Sequence, residues 1–203
     1  MPSRPRDPRP VLRGARVTLS PLRGSDQASF AALVARNRSW LEPFGASDPR
    51  LLPTTASFSR ALREARRAAR QGRSLAWALR LGAQGDAPSG EVLGQVSLHS
   101  LTGGAARQAS IGYWIDRAHT GRGLATEAVR LALDHGFGPA GLHRIEALVH
   151  PENAPSLALL RRFGFRSEGV RARALWVRGA WCDHAVLALT EEEWDQESQK
   201  SRR

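Results

Sequence analysis

The sequence predicts an α/β domain (α+β), and three observations carry that reading. Residues 111–128 pass from an apolar, aromatic and β-branched run through Gly121 and Gly123 into a helical pattern. That order is strand, glycine turn, helix. Strand-like runs over residues 75–81 and 91–101, and a third leading to the glycine turn, follow one another through short turns, as an antiparallel meander does. Helical patterns with glycine at their ends stand before and after them.

In order, residues 11–22 alternate imperfectly, with Val17, Leu19 and Leu22 apolar, and read as a first strand. Residues 26–35 read as a helix capped by Ser25 or Asp26, with Phe30, Leu33 and Val34 apolar. Residues 37–44 read as an aromatic loop closed by Pro43. Residues 57–71 form an amphipathic pattern. Phe58, Leu62, Ala65 and Ala69 share one face, Arg60, Arg63, Arg67 and Arg70 the other, and Gly72 stands as a C-terminal cap. Residues 82–90 are rich in turn formers. Gly112 suggests a bulge in the third meander strand. After the glycine turn, residues 125–137 read as a helix and 143–150 as a buried strand. Asn153 caps a short helix over 156–163 that Gly164 ends. A hairpin turns at Gly179 between strands over 170–178 and 180–189.

The chain has 203 residues, enough for one domain with a sizeable core. Residues 1–13 read as a disordered basic arm, 14–194 as a single domain and 195–203 as a tail. There is no run of about 18 apolar residues, so no membrane span is expected. The first ten residues lack the apolar segment of a signal peptide, so a cytoplasmic protein is expected. Cys182 is the one cysteine. It leaves no internal disulfide or cysteine-cluster metal site, and no metal is expected. Net charge is +11, and its placement is uneven. Residues 1–80 hold 16 arginines against five acids, while the remainder is balanced. Such an excess attracts RNA, a ribosome or an acidic partner. It is equally the mark of a solvated face in an arginine-rich composition, since only Lys200 is lysine.

A strand–glycine–helix turn leaves several N–H groups without intrahelical partners at the positive end of the helix dipole. That is a seat for a phosphate or pyrophosphate, and glycine lets the main chain approach it. The same spacing also serves plain tight turns. It is not a P-loop, having no Gly-Lys-Ser/Thr, and it lacks the third glycine of a dinucleotide fingerprint.

With these motifs in place, the chain resembles the GCN5-related N-acetyltransferases (GNAT). Their signature, Gln/Arg-x-x-Gly-x-Gly/Ala, falls on Thr120-Gly121-Arg122-Gly123-Leu124-Ala125, with Thr120 departing from the leading Gln/Arg. The resemblance covers about residues 14–194 and is nearest to the RimJ/RimL group, RimJ in particular. It rests on residues 37–44, 111–114, 121–128, 153–156, 162–165 with Glu168-Gly169, and Gly179-Ala180-Trp181-Cys182-Asp183-His184. The implied fold is a mixed, curved sheet of about seven strands with helices on both faces. Its fourth and fifth strands splay apart. The implied cofactor is acetyl-CoA, with its pyrophosphate on the N–H groups of Gly121, Arg122, Gly123, Leu124, Ala125 and Thr126. Thr120 stands beside them. Trp114 and Ile115 would pair with the pantetheine amides, and Asn153 would bond near that arm. Trp40, Glu42 and Phe44 would meet the acceptor.

The resemblance implies transfer of an acetyl group to the N-terminal α-amine of a protein, a ribosomal protein of the alanine type, by direct attack on the thioester. Many relatives place a tyrosine acid seven residues after the motif asparagine, where this chain has Leu160. Ser156, one turn earlier, is the replacement candidate. Glu146, His150 and His184 are candidate bases. Two other readings stand beside this one. One is acetylation of a small amine, such as an amino-sugar or amino acid. The other is a non-catalytic factor associated with the ribosome or RNA. A monomer or homodimer is expected.

Overall fold

The computed structural model describes residues 9–45, 56–82 and 90–200. Residues 1–8 of the expected arm, 83–89 of the expected loop and 201–203 lie outside them. Eight strands form one sheet: β1 (Leu12–Arg13), β2 (Val17–Ser20), β3 (Ser74–Leu81), β4 (Val92–Thr102), β5 (Gln108–Ile115), β6 (Arg144–Val149), β7 (Arg166–Val177) and β8 (Ala180–Thr190). Their order is β1-β2-β3-β4-β5-β6-β8-β7. Only β5 and β6 pair in parallel, so the sheet is mixed. The helices are α1 (Gln27–Leu41), α2 (Phe58–Arg70), α3 (Leu124–Phe137), α4 (Ala154–Arg162) and α5 (Glu191–Lys200).

The eighth strand comes from the start of the chain. The run expected as one strand over 11–22 breaks at Gly14, whose N–H donates to the Val17 carbonyl at 2.9 Å, giving β1 and β2 as a tight pair. Residues 9–13, expected as part of a loose arm, lie on the sheet. Arg9 donates to the Ala76 carbonyl, and the Trp77 indole N–H donates to the Pro10 carbonyl at 2.9 Å. At the other end α5 runs to Lys200 through most of the expected tail, and Trp194 is buried.

Alternation along the strands divides the core in two. One face carries Trp77, Leu79, Ile111 and Ile115 against Ala128, Val129, Ala132 and Leu133 of α3, Leu160 of α4 and Trp194. The opposite face carries Ala78 and Val92, with Trp114 packed beside them, against Phe30, Leu33 and Val34 of α1 and Phe58 and Leu62 of α2. Phe30 and Phe58 are fully buried with ring centroids 5.9 Å apart. Each such ring stabilises the fold by about 1.5–3 kcal/mol through apolar burial.

Helix α1 is longer than the sequence suggests. Residues 37–41, expected as loop, are its last turns, followed by a 3-10 turn over Glu42–Phe44. Asn37 does not break the helix because its amide is fully used: Nδ2 donates to the Leu33 carbonyl and to Asp116 Oδ1, both at 2.9 Å. In the last hairpin, β7 begins four residues before the expected position and bulges. Its register jumps from Arg171–His184 to Leu175–Cys182. Arg173 takes φ 50° there, and its N–H donates to Asp183 Oδ1 at 2.7 Å. Asp183 therefore holds the bulge. No helix among the described residues is long and apolar enough to cross a membrane.

His184 is buried and His135 half-buried against Trp77, and burial lowers the pKa of each from the ordinary 6.5. The unfolded chain therefore binds these protons first. Their contribution to stability is full above pH 6.5 and is lost as pH falls below it. The melting temperature should hold steady down to about pH 6.5 and drop towards pH 5, with a shallower drop in His135→Gln, read by circular dichroism melts.

Candidate active site

The site is built where the sheet opens. β5 and β6 pair only over Gln108–Arg144, Ala109–Ile145 and Ser110–Glu146. Beyond that point β5 continues from Ile111 to Ile115 paired with β4 alone. Its free edge faces a cavity of about 370 Å³. Trp40, Leu41 and Phe44 line the cavity from one face of the sheet; Leu124, Ala125 and Thr126 of α3 and Pro155, Ser156 and Leu159 of α4 line it from the other. Tyr113, Trp114 and Ile115 form the wall between, and Asn153 stands at the α4 end.

The glycine turn closes one end. Gly121 and Gly123 have φ of 72° and 73°, the left-handed region where a Cβ is strained. A Cβ at Gly121 would meet no atom of the chain, so the turn's outer side is open. The N–H groups of residues 121–126 have no acceptor among the described residues, and the first intrahelical bond is Glu127 N–H to the Gly123 carbonyl. Two braces hold the turn. Arg16 donates through Nη1 and Nη2 to the Arg122 and Gly123 carbonyls at 3.0 and 3.3 Å, and through Nε to Glu127 Oε2 at 2.9 Å. Glu127 Oε1 also accepts from the backbone N–H groups of Arg16 and Val17. Burial pushes the Glu127 carboxyl up, and these bonds outweigh it and hold its pKa below the usual value.

The second brace is Asp116, 3% exposed at the end of β5. Its carboxylate accepts from Arg36 at 2.7 Å, Asn37 Nδ2 at 2.9 Å and the Ala118 N–H at 3.4 Å. Asn37 Oδ1 in turn accepts from the Arg117 N–H at 2.9 Å. Burial raises the Asp116 pKa, but the Arg36 and Asn37 bonds win and bring it down to about 2. α1 is thus tied to the segment that leads into the glycine turn. Thr120, where relatives have Gln or Arg, donates its hydroxyl to the Arg117 carbonyl at 2.8 Å and closes the 3-10 turn over Arg117–His119.

Asn153 caps α4, its Oδ1 accepting from the Ser156 N–H at 3.2 Å, which leaves Nδ2 unpaired among the described residues. Ser156 Oγ lies 2.9 Å from the Tyr113 hydroxyl. Trp114 Nε1 is a buried donor without an acceptor among the described residues. From Phe44 a row of rings leads to His150, at 6.3 Å, and on to His184, at 5.6 Å. His184 Nδ1 is 3.0 Å from the Cys182 carbonyl, which can only accept, so that nitrogen carries the proton and Nε2 is a bare lone pair. Nε2 is buried without a partner among the described residues, and burial lowers the ring's pKa from the ordinary 6.5.

The structure brings together Trp40, Phe44, Trp114, Ile115, Thr120, the glycine turn, Asn153 and Ser156. It leaves five of the expected residues apart. Glu146 sits where β5 and β6 still pair, and accepts from Arg144 at 2.9 Å. Glu42 and the Arg122 side chain are exposed and outside the lining. His150 and His184 also lie outside the lining, joined to it only by the ring row from Phe44. Sequence reasoning missed Tyr113, Asp116, Arg36, Arg16 and Glu127 as parts of the site. Tyr113 and Glu127 stood inside the motifs quoted over 111–114 and 121–128, but no role was read from them.

Asp116→Ala strands the Asn37 amide and the Ala118 N–H, at a cost of about 3 kcal/mol. For a domain of this size the melting temperature should fall by roughly 6–12 °C. Asp116→Asn, which keeps an acceptor, should lose less.

Comparisons with known proteins agree with this geometry. A family model described as the acetyltransferase (GNAT) domain matches residues 16–166. The RimJ structure of Mycobacterium smegmatis, in complex with CoA-disulfide, superposes with a TM-score of 0.81 and 36% identity, covering 96% of this chain and 94% of that one. The probable N-acetyltransferase YjcK of Bacillus subtilis is 46% identical over 98 residues, 48% of this chain and 54% of that protein. The ribosomal protein uS5-alanine N-acetyltransferase of Escherichia coli is 34% identical over 104 residues, 51% of this chain and 54% of that protein. These matches span about half the length of the curated relatives. A sheet opened between its one parallel pair, a glycine turn at the opening and the matched family model lead to one conclusion: the chain belongs to the GNAT acetyltransferase family.

Proposed function

We propose that this chain transfers the acetyl group of acetyl-CoA to the N-terminal α-amine of a protein, a ribosomal protein of the alanine type. The observation that carries the proposal is the similarity to the RimJ structure across 96% of the chain, joined to a cavity lined from both faces of the sheet. The residues present fit the cofactor. Six N–H groups over 121–126, unpaired among the described residues, suit a pyrophosphate; the β5 edge free of β6 suits the amides of the pantetheine arm, and Asn153 Nδ2, likewise unpaired among the described residues, suits a carbonyl. When bound, acetyl-CoA supplies a thioester carbon open to a neutral amine.

Trp40 and Phe44 form the acceptor wall, with the Arg117 guanidinium 5.7 Å from the Trp40 ring. No carboxylate lines the cavity among the described residues. A polycationic small amine would lack counter-charges there. An α-amine has a pKa of about 7.7–8.0, so roughly a quarter is neutral at pH 7.4, against about one lysine in a thousand. A weak neutral base suffices, and this reading assigns that part to the bare His184 Nε2, joined to the cavity by the ring row through His150 and Phe44. The arginine face of α2, with Arg60, Arg63, Arg67 and Arg70 exposed, supports attraction to ribosomal RNA near the acceptor.

Thiol release from acetyl-CoA is the test. Peptides with free N-terminal alanine, serine or methionine should turn over. The same peptides with blocked N-termini and an internal lysine should not, nor should amino-sugars, free amino acids or polyamines. Turnover confined to the small amines would replace this reading. His184→Gln should slow turnover of the favoured peptide about tenfold or more, while CoA binding measured by calorimetry stays unchanged.

A further inference from the structure

We infer that Tyr113 is a positioning residue that turns Ser156 into a hydrogen-bond donor for the sulfur leaving the acetyl group. The inference rests on the acetyl-CoA reading above. Tyr113 projects from the free stretch of β5 towards α4, and its hydroxyl lies 2.9 Å from Ser156 Oγ and 3.3 Å from the Ser156 carbonyl. Both residues line the cavity. The position where many relatives carry a tyrosine acid, Leu160, is fully buried in the core and offers no hydroxyl. Tyr113 brings a phenol to the same helix from the opposite side of the opening.

The proton count decides what the pair does. Each hydroxyl has one proton. In one arrangement Tyr113 donates to the Ser156 carbonyl and Ser156 donates back to the phenol oxygen. In the other Tyr113 donates across the shorter 2.9 Å contact to Ser156 Oγ, and the serine proton must turn elsewhere. The cavity is where it can go, and a sulfur gathering negative charge there selects this arrangement. The pair does not act as an acid. Burial pushes the Tyr113 hydroxyl up to about 12, against a small opposing effect of the Ser156 bond. An ordinary thiol has a pKa near 8.5. A proton would not pass from the phenol to the thiolate. In the step, the nitrogen–carbon bond forms and the carbon–sulfur bond breaks with its electron pair on sulfur. The amine proton leaves to solvent, by way of the base where one acts. Ser156 and Tyr113 keep their protons.

The test uses CoA itself. The pKa of the bound thiol is read from thiolate ultraviolet absorbance against pH, and affinity from calorimetry. The wild type should hold the thiol pKa below that of free CoA. Tyr113→Phe should raise it by about one pH unit and lower kcat about tenfold, since hydrogen bonds to charged groups are the strong ones. KM for acetyl-CoA and the CoA Kd should stay within about twofold, as the ring remains. Ser156→Ala should do the same from the other side of the pair, and Ser156→Thr should restore most of the effect. The double variant should be no worse than Ser156→Ala alone. An unchanged bound-thiol pKa in Tyr113→Phe, or a double variant whose loss is the product of the two single losses, overturns the role of Tyr113 and leaves the acetyl-CoA reading standing. Wild-type protein that binds no CoA overturns both.

Discussion

Everything functional in this fold depends on a sheet that stops being a sheet. The parallel pair β5 and β6 exchanges bonds over three residue pairs and then parts. A backbone edge left without a neighbour inside a domain is costly unless something else satisfies it. Here the opening is framed by helices on both faces and faces a cavity. A ligand that carries amides along its length can act as the missing strand. The gap also connects the two faces, so a donor held against α3 and α4 can meet an acceptor arriving past Trp40 and Phe44.

An opening of this kind would be soft without braces. Asp116, the first residue after β5, ties that strand's end to α1 through Arg36 and Asn37, on one face. Arg16 and Glu127 tie the glycine turn and the first turn of α3 to β2, close to the opposite rim. Both braces bond to backbone as well as to side chains. They therefore set the direction in which the N–H groups of the turn point, which a side-chain ion pair alone would not do. The Asp116 brace is the stronger, because its carboxylate is buried with three kinds of donor around it.

Apart from the Arg162 guanidinium, the groups that line the opening carry no charge of their own. A phenol and a serine hydroxyl line it, with no carboxylate on the cavity wall among the described residues. Such groups orient and stabilise charge better than they exchange protons, which suits an acceptor amine that is already partly neutral at physiological pH.

The residues alone determined the class of fold, the meander and the glycine turn, because these are local patterns of period, capping and backbone permission. The positions of Gly121, Gly123 and Asn153 were legible for that reason. Where local pattern misled, a distant partner had intervened. Asn37 reads as a loop former, yet stays helical because Asp116, 79 residues away, accepts from its amide. Gly14 splits a strand that alternation drew as one. Asp183 looks like a partner for its neighbour His184, but adjacent strand residues face opposite ways, and the carboxylate holds the Arg173 bulge instead. Glu146 has the right residue type and strand, but register set it at the closed end of the β5–β6 pair, on Arg144. The bare nitrogen of His184 and the meeting of Tyr113 with Ser156, 43 residues apart, belong to tertiary structure alone. Sequence spacing records which groups a chain owns, whereas burial and register decide which of them are left unpaired and face one another.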